Sequence, residues 1–443
     1  MKFSEKYLSY IFPAVFVINA LIILFIWWQG SGLYITQPWE GSYYIAFGRL
    51  TGLFAEYFLL TELLLVGRVW WLEKFFGFVS MSRLHHAIGT WLIFLILSHP
   101  LLLTLGYARQ NSTGLTEQFT SLLFNWEDVF KALIGVILIF AAVGTSIKLV
   151  RMKIKYERWY FVHLTMYLAI GLAFGHQINS GDVSEGSATY YWLALNYAVF
   201  GLILLYRFLR PLYLFYKYKF TIDKIEKETD DVYSVYISGR HMREFSFESG
   251  QFANLIFLAK GMRQSHPFSF SAAPNGKNLR FSIKKLGDFT NKIDELKKGT
   301  RVILDGPYGR FTLAHALTKK CLLIAGGIGI TPIRAMAEDC AKHGVDAVVM
   351  YSAKNSASLT FKKELDELAA QFKKLQVVYI VDEKTERFEC GMINEEKITR
   401  LVPDYSERDI YICGPGPMMQ ALINILESKG LPKSRLHHEM FSF

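Results

Sequence analysis

The sequence is poor in charge: Asp, Glu, Lys and Arg make up 20% of its 443 residues, whereas 51% of the residues are hydrophobic. This composition excludes a disordered chain and the fibrous or collagen-like classes. The apolar excess lies between about residues 7 and 210, and the second half has an ordinary globular composition. We therefore expect a membrane domain followed by a soluble one.

Cysteine is absent from the first 320 residues. The four that occur are Cys321, Cys340, Cys390 and Cys413. Their spacing forms neither a zinc motif nor a ladder of paired disulfides, so we interpret them as thiols in a reducing compartment. This places the second half of the chain in the cytoplasm.

Six apolar stretches are long enough to cross a bilayer, which takes about 20 residues. They cover residues 8–28, 43–66, 85–106, 129–149, 159–177 and 188–208. The first stretch lacks a small-residue cleavage site and ends in Trp27 and Trp28, an interfacial pair. We therefore interpret it as a retained helix rather than a signal peptide.

The loops between these stretches divide by charge. One set is rich in Lys and Arg. The other set comprises residues 30–42, 107–127 and 178–187, and its single Lys or Arg residue is Arg109. The positive-inside rule then predicts a six-pass cell-membrane protein with both termini in the cytoplasm. The net charge of +10 fits this topology, because the basic residues adjoin apolar spans, and we expect membrane lipid rather than nucleic acid as the partner.

Five histidines fall in two of the predicted spans. The third span contains His85, His86 and His99, and the fifth contains His163 and His176. An ionisable residue inside a membrane span is costly and indicates function by default. A single histidine would be more readily explained by helix packing, but two spaced pairs on two helices favour metal or haem ligation.

The spacing of these histidines suits two stacked haems, each bound by one histidine from each helix. His85 and His99 are 14 residues apart, which is about 40° around a helix and roughly 21 Å along it. We expect His85 and His163 to bind the iron of an inner haem, and His99 and His176 that of an outer one. His86 is about 140° out of phase with His99, which favours His85. The 13-residue spacing of the fifth span needs local unwinding or a π-bulge.

The second half of the chain predicts two kinds of sheet. Short alternating strands separated by turns predict a small antiparallel barrel, with strands at residues 232–237, 253–257, 279–283 and 301–304. From about residue 319, strands alternate with helical segments and predict an α/β layout with a parallel sheet. Its strands are expected at residues 321–325, 347–351, 377–381 and 409–413.

Two glycine-rich loops follow strands of the predicted parallel sheet. The first comprises residues 326–332, in which Thr331 is a plausible N-cap and Pro332 suits the first helical position. The second comprises residues 413–417. Ligands bind open parallel sheets at the carboxyl ends of strands, and helix N-termini offer backbone donors to phosphate. Two such loops predict a dinucleotide site.

With these motifs in this order, the sequence resembles the ferric reductase and NADPH oxidase superfamily over nearly its whole length. The resemblance implies a multi-domain fold with a six-helix transmembrane bundle, an antiparallel β-barrel FAD domain and an α/β parallel-sheet nucleotide-binding domain. The implied boundaries are residues 1–212, 213–316 and 317–443. Implied cofactors are FAD, two haems b, and NADPH or NADH.

The resemblance also implies roles for individual residues. The segment 266–274 matches the flavin motif, and the segment 286–290 matches the part that holds the FAD pyrophosphate. The implied FAD contacts are His266, Pro267, Phe268, Ser269, Ser271, Gly287, Asp288 and Thr290. The implied nicotinamide-nucleotide contacts are Gly326, Gly327, Gly329, Thr331, Pro332, Cys413, Gly414 and Pro415. Cys413 is also assigned to catalysis.

Four further positions follow from the resemblance or bear on nucleotide choice. The last residue, Phe443, matches an aromatic that covers the flavin. Arg49 matches an oxidase arginine expected near the outer haem, where it pairs with a haem propionate or polarises the acceptor. Lys354 is a candidate partner for a 2′-phosphate, and Arg334 is another; NADPH and NADH both stay open.

The implied activity is electron transfer from NAD(P)H through FAD and two haems to an acceptor outside the membrane. Dioxygen is the first expectation, which would make the protein a superoxide-producing oxidase. A ferric or cupric chelate reductase is an alternative, and so is an electron-donating subunit whose acceptor is a partner protein or quinone. The motifs indicate no obligate protein partner. Leu103 stands where some oxidases carry another histidine, which leaves the acceptor open.

Overall fold

The computed structural model describes residues 3–154 and 156–439. It divides into two compact units. The first, which we call the membrane unit, comprises Ser4–Val69 and Met81–Leu204. The second, which we call the nucleotide unit, combines the described residue Phe3 and Trp70–Ser80 with the chain from Leu205 onward. The nucleotide unit is therefore built from stretches that lie far apart in the sequence.

The first half of the chain is helical. Its helices are α1 (Phe3–Ser31), α2 (Leu33–Thr36), α3 (Ser42–Val66), α4 (Trp70–Phe76), α5 (Phe78–Gln110), α6 (Leu115–Asn125), α7 (Val129–Ser146), α8 (Lys148–Arg151), α9 (Tyr156–Asn179), α10 (Gly186–Ile203) and α11 (Arg210–Tyr218). Each predicted span coincides with a long helix: α1, α3, α5, α7, α9 or α10. The π-helical segment Leu204–Leu209 joins α10 to α11.

Five helices among the described residues are long and apolar enough to cross a membrane, namely Ile11–Ser31, Ser80–Gln110, Val129–Ser146, Arg158–Asn179 and Gly186–Tyr218. The 25-residue α3 is long enough, but Arg49, Glu56 and Glu62 lower its hydropathy. Glu56 and Glu62 are 3% and 7% exposed, so their carboxyl groups face protein rather than the outside of the unit. The charged residues of α3 are thus enclosed by the other helices.

The strands after α11 form two antiparallel sheets of three strands each. They are β1 (Thr221–Lys227), β2 (Val232–Ser238), β3 (Phe252–Phe257), β4 (His266–Ser269), β5 (Leu279–Lys284) and β6 (Val302–Tyr308), in the orders β1-β2-β5 and β4-β3-β6. Single bridges join Thr221 to Arg301 and Phe270 to Phe281. The sequence predicted one small barrel, and the structure shows two sheets around a shared core that includes Phe257.

The last part of the chain is an α/β domain. Its elements are β7 (Lys320–Gly326), α12 (Ile330–Lys342), β8 (Asp346–Ala353), α13 (Lys362–Gln371), β9 (Leu375–Val381), β10 (Glu389–Cys390), α14 (Glu395–Leu401), β11 (Asp409–Cys413), α15 (Gly416–Ser428) and β12 (Leu436–His438). The strands pair in parallel in the order β10-β9-β8-β7-β11-β12. The predicted parallel sheet is confirmed.

Alternating side chains of β7 explain why helices cover both faces of this sheet. Leu323 and Ala325 belong to one buried core, whereas Leu322 and Ile324 belong to another. Successive residues of a strand point to opposite faces, so a strand that is apolar at every position needs cover on both sides. This arrangement leaves the carboxyl ends of the strands open for ligands.

Candidate functional site

The membrane unit brings together the histidines that the sequence assigns to each haem. The ring centres of His85 and His163 are 6.1 Å apart, and those of His99 and His176 are also 6.1 Å apart. Two imidazoles that each give one nitrogen to the same metal ion, at about 2 Å, have ring centres about 6 Å apart. Each pair takes one ring from α5 and one from α9.

The second pair has a hydrogen-bond partner that orients one of its rings. Nδ1 of His99 lies 2.8 Å from the carbonyl oxygen of Gly48 in α3. A Cβ atom at Gly52 would lie 2.6 Å from Cε1 of the same ring, so only glycine allows α3 to approach it. Donation from Nδ1 to the carbonyl leaves Nε2 of His99 as the free lone pair, which is the tautomer that a metal ligand needs.

In the first pair, the structure favours His85 rather than His86 as the metal ligand. His85 is half-buried, and its Nδ1 lies against Oε2 of the buried Glu62 carboxyl group in α3. His86 is exposed, and its Nδ1 is 2.8 Å from the carbonyl oxygen of Ser82 in its own helix. With Nδ1 of His85 against this carboxyl group, Nε2 remains for a metal. The donor sets of both pairs fit bis-histidine haem ligation.

The irregularity predicted for the fifth span is not found where it was expected. α9 is assigned as α-helix throughout Tyr156–Asn179, and the π-helical segment lies after α10 instead. His163 and His176 nevertheless meet their partners on α5. Helical phase within α9 alone was therefore an insufficient guide, because the pairing depends on how α9 packs against its neighbours.

Arg49 is fixed by groups from three parts of the membrane unit. Its Nη1 donates to Oδ1 of Asp182 at 2.9 Å, and its Nη2 donates to the hydroxyl of Tyr107 at 3.3 Å. The guanidinium also lies 4.9 Å from the centre of the Tyr34 ring. Asp182 accepts a further hydrogen bond from Ser31. This geometry differs from a snorkelling arginine, because the cation is held inside the unit by a buried carboxylate.

The predicted flavin motif lies on β4 and the turn that follows. His266, Pro267, Phe268 and Ser269 form this strand, and the His266 ring centre is 3.9 Å from that of Phe289. In the segment 286–290, the hydroxyl of Thr290 accepts hydrogen bonds from the backbone N–H groups of Leu286 and Gly287. These bonds define a compact, exposed turn containing Gly287 and Asp288.

Ser271 is enclosed by protein groups that form hydrogen bonds with it. It is fully buried, and its hydroxyl is 2.8 Å from that of Ser282, which in turn is 2.6 Å from that of Ser234. Its carbonyl oxygen accepts a hydrogen bond from Arg280 at 2.7 Å. The sequence assigned Ser271 to FAD, and the structure gives its hydroxyl a protein partner.

An ion-pair network joins the antiparallel sheet β1-β2-β5 to the α/β domain. Arg280 of β5 binds both carboxylate oxygens of Glu364 in α13, at 2.7 and 3.1 Å. Arg334 of α12 also pairs with Glu364, at 2.8 Å, and with Glu338. The structure does not support Arg334 as a partner for a 2′-phosphate, because two carboxylates already neutralise this buried residue. Lys354 is exposed and directly follows β8.

The two glycine loops touch at the carboxyl ends of the adjacent parallel strands β7 and β11. A Cβ at Gly329 would lie 2.8 Å from the backbone nitrogen of Gly414, and a Cβ at Gly326 would lie 2.9 Å from Pro415. Gly327 has a φ of 53°. These contacts require glycine, and they place two helix N-termini, those of α12 and α15, side by side.

The start of α12 differs from the prediction. The N-cap is Gly329 and the helix begins at Ile330, so Thr331 and Pro332 are the second and third helical residues. The hydroxyl of Thr331 donates to the carbonyl of Ile328 at 3.0 Å. The short 3-10 turn Gly327–Gly329 already adopts a helical direction, and proline is tolerated throughout the first turn, so the sequence signal placed the cap two residues late.

Cys413 ends β11 beside a buried carboxyl group that the sequence did not single out. Burial, with a contribution from Glu439, raises the pKa of the Cys413 thiol well above its usual range. Burial and the nearby Glu73 raise the pKa of Glu439 to about 8. Glu73, which precedes α5, accepts a hydrogen bond from Gly309 N at 3.1 Å. Phe443 lies outside the described residues.

Three protein-family models match the chain in succession. They describe a ferric reductase like transmembrane component at residues 51–174, an FAD-binding domain at residues 217–312 and an oxidoreductase NAD-binding domain at residues 323–423. The chain has the architecture of the ferric reductase and NADPH oxidase superfamily. It is a membrane-associated oxidoreductase with FAD- and NAD-binding domains.

Curated relatives match about half of the chain. The flavohemoprotein of Burkholderia sp. (strain TH2) is 30% identical over 230 residues, 50% of this chain and 58% of that protein. The glycine betaine monooxygenase reductase subunit of Pseudomonas aeruginosa (strain UCBPP-PA14) is 29% identical over 229 residues, 49% of this chain and 62% of that protein. The chain spans about three fifths of the length of these relatives.

Solved structures show a similar extent of overlap. The FAD/NAD-binding domain of a nitric oxide dioxygenase from Vibrio cholerae is 23% identical, with a TM-score of 0.46, and covers 50% of this chain and 98% of that chain.

Sequence reasoning missed the acidic residues around the candidate sites. Glu62, Asp182 and Glu439 each contact or neighbour a residue that the sequence had singled out. A signal for Glu62 was available, because it is an ionisable residue within a predicted span, as the histidines are. Asp182 lies in a loop and Glu439 near the chain end, so only tertiary structure identifies them.

Proposed function

We propose that the protein passes electrons from cytoplasmic NADPH or NADH, through FAD and two b-type haems, to dioxygen on the opposite side of the membrane, with superoxide as the product. The observation that carries this proposal is the two imidazole pairs, each with ring centres 6.1 Å apart. The proposal includes six membrane spans, with α3 as the second, and cytoplasmic termini. It requires no obligate protein partner.

When bound, FAD supplies the conversion between two-electron and one-electron chemistry, and the haems supply one-electron carriers. The chain's own residues position these groups. His85 with His163 would hold one haem iron, and His99 with His176 would hold the other. Two imidazoles per iron leave no coordination position for a substrate, which suits electron transfer.

The glycine loops provide the nucleotide end of the proposed path. Gly326 and Gly414 allow the two loops to pack against each other, and the N-termini of α12 and α15 then offer backbone donors to a pyrophosphate. Lys354, at the carboxyl end of β8, is the proposed contact for a 2′-phosphate. Cys413 and the terminal Phe443 are proposed to adjoin the nicotinamide and flavin rings.

The acceptor end of the proposed path contains Arg49. Arg49 follows Gly48, whose carbonyl oxygen contacts His99, so its backbone adjoins the second imidazole pair. Asp182 and Tyr107 hold the guanidinium in place. Our proposal requires that Arg49, although paired with Asp182, also donates hydrogen bonds to an acceptor that becomes negatively charged, as dioxygen does when it gains one electron.

A ferric or cupric chelate reductase is the second candidate, because the membrane family model carries the description of a ferric reductase component. A third candidate is an electron-donating subunit, because curated relatives include a monooxygenase reductase subunit. These candidates share the cytoplasmic half of the path and differ in what receives the electrons.

The test uses the full-length protein purified in nanodiscs and loaded with haem and FAD. We expect two haems per chain and NADPH oxidation in air, with cytochrome c reduction that superoxide dismutase suppresses. Faster turnover under argon with an Fe(III) chelate than in air would favour the second candidate, and inactivity with both acceptors would favour the third. Fewer than two haems per chain in fully loaded protein would contradict the bis-haem path itself.

A further inference from the structure

The two imidazole pairs differ in what α3 presents to them. Nδ1 of His85 lies against the carboxyl group of Glu62, whereas Nδ1 of His99 lies 2.8 Å from the backbone carbonyl of Gly48. Glu62 is 7% exposed, so its carboxyl group is enclosed by protein. The same helix therefore places a carboxyl group against one pair and a neutral carbonyl acceptor against the other.

A charged acceptor changes the ligand more than a neutral one does. A hydrogen bond to a carboxylate is about twice as strong as one to a neutral carbonyl. A ligating histidine that donates its second N–H to a carboxylate becomes a more basic ligand, and such hydrogen bonds are one of the means by which a protein sets the potential of a haem. A more basic ligand stabilises the oxidised iron, so the reduction potential falls.

We propose that Glu62 is a positioning residue that makes the haem of His85 and His163 the lower-potential member of the pair. This inference rests on the proposed function. One electron leaves the first iron as the second iron gains it, and NAD(P)H acting through FAD is the reductant. The step is downhill from the first pair to the second because α3 places a carboxyl group against His85 and a backbone carbonyl against His99. Glu62 thereby gives the electron path its direction.

Glu56 provides a matched comparison on the same helix. It is also a buried carboxyl group of α3, six residues from Glu62, but its described partner is Gln177, whose Nε2 donates at 3.0 Å. Replacing the carboxyl group of Glu56 by an amide therefore tests for a general effect of a buried carboxyl group. The same change at Glu62 tests the contact with the ligand.

The experiment is a spectroelectrochemical titration of the haem absorption bands in purified, haem-loaded full-length protein. We expect two midpoint potentials in the wild type. We expect Glu62→Gln to raise the lower one and leave the higher one unchanged, and Glu62→Asp, which keeps the carboxylate, to stay closer to the wild type. Glu56→Gln should shift the lower potential less than Glu62→Gln does. An equal shift would mean that the effect is not specific to the contact, and the proposal would be wrong.

A second measurement leaves Glu62 intact, so it does not depend on how the Glu62 variants fold. His99→Leu isolates the first haem and His85→Leu isolates the second. We expect the isolated first haem to have the lower potential, and an equal or higher value would overturn the proposal. Two haems with an unmoved lower potential in Glu62→Gln would contradict this inference alone, whereas fewer than two haems in the wild type would contradict the proposed function.

Discussion

The membrane unit and the α/β domain build their candidate sites by opposite means. In the membrane unit, the site consists of side chains: four imidazoles project from α5 and α9 into the space between the helices. In the α/β domain, the site consists of backbone, and the two loops meet because Gly326, Gly329 and Gly414 carry no side chain. One site is lost when a side chain is removed, and the other when a side chain is added.

The difference follows from the ligands that each site would hold. A haem iron needs strong donor atoms, which the imidazole side chains of α5 and α9 provide. A pyrophosphate needs several N–H donors close together, which a helix N-terminus provides without any side chain. The comparison therefore predicts which kind of substitution each region tolerates.

The largest effect is expected from removing an imidazole of the second pair. His99→Leu or His176→Leu should each reduce the haem content from two per chain to one, because a single imidazole leaves one axial position unfilled. Reduction of FAD by NADPH should stay at the wild-type rate. The pyridine haemochrome assay and stopped-flow flavin absorbance measure these quantities, and retention of two low-spin haems in either variant would refute the assignment.

The neighbouring histidines His85 and His86 test, within one helix, which side chain is the haem ligand. His85 faces His163 and contacts Glu62, whereas His86 is exposed and bound to its own helix backbone. His85→Leu should lose one haem, and His86→Leu should keep both. The same haem assay applies, with His86→Leu as the matched control. The reverse result would show that His86 is the ligand.

Adding a methyl group to a glycine loop should weaken the binding of the nucleotide and leave the binding of FAD and haem unchanged. In Gly329→Ala, the new Cβ would lie 2.8 Å from Gly414 N, a backbone atom that cannot move aside without separating the loops. We expect the KM for NADPH to rise by at least about tenfold, the cost of about 1.4 kcal/mol in nucleotide affinity. FAD and haem contents should not change. An unaltered KM would show that the loops do not bind nucleotide.

A smaller effect is expected where the membrane unit itself depends on a glycine. Gly52→Ala would place a Cβ 2.6 Å from Cε1 of His99, and the ring must tilt or shift. We expect a changed spectrum or partial loss of the second haem, with the first unaffected. Gly89→Ala on α5 is the control, because a Cβ there meets no described atom within 4 Å. Equal effects in both variants would argue against a specific contact with His99.

The smallest effect concerns Glu439, whose pKa is raised to about 8 by burial and by Glu73. The unfolded chain releases this proton near its ordinary pKa of about 4.3, whereas the folded chain retains it to about pH 8. Folding stability should therefore fall as pH rises from about 4.5 to 8. Glu439→Gln should remove this part of the pH dependence, so that the temperature of FAD release at pH 8 exceeds that of the wild type by a few degrees. If the temperature of FAD release changed with pH in the same way in both proteins, the raised pKa of Glu439 would be contradicted.

The sequence predicted the elements with strong periodic signals better than it predicted the contacts among them. The apolar spans and the strands β7, β8, β9 and β11 follow from hydrophobic runs, and the structure has them within a few residues. The strands β1, β4, β10 and β12 were missed. Four of the seven residues of β1 are charged, and the other three strands have only two to four residues, so none of the four carries a clear local pattern.

The candidate sites show the same division. Pairing of His85 with His163 followed from their order along two helices, but the role of α3 did not. The approach of Gly48 and Gly52 to His99, and of Glu62 to His85, is set by how three helices pack. Likewise, nothing local to Arg334 indicates that Glu364, thirty residues later, neutralises it.

The discontinuous nucleotide unit has a consequence for biosynthesis. Residues Trp70–Ser80 belong to this unit together with the chain from Leu205 onward, and Glu73 and Phe75 bind Gly309 and Arg310. During translation, at about 5–20 residues per second, the earlier segment emerges about ten seconds or more before its partners exist. The unit cannot finish folding until both stretches have been synthesised, and the four apolar helices α5, α7, α9 and α10 are synthesised between them.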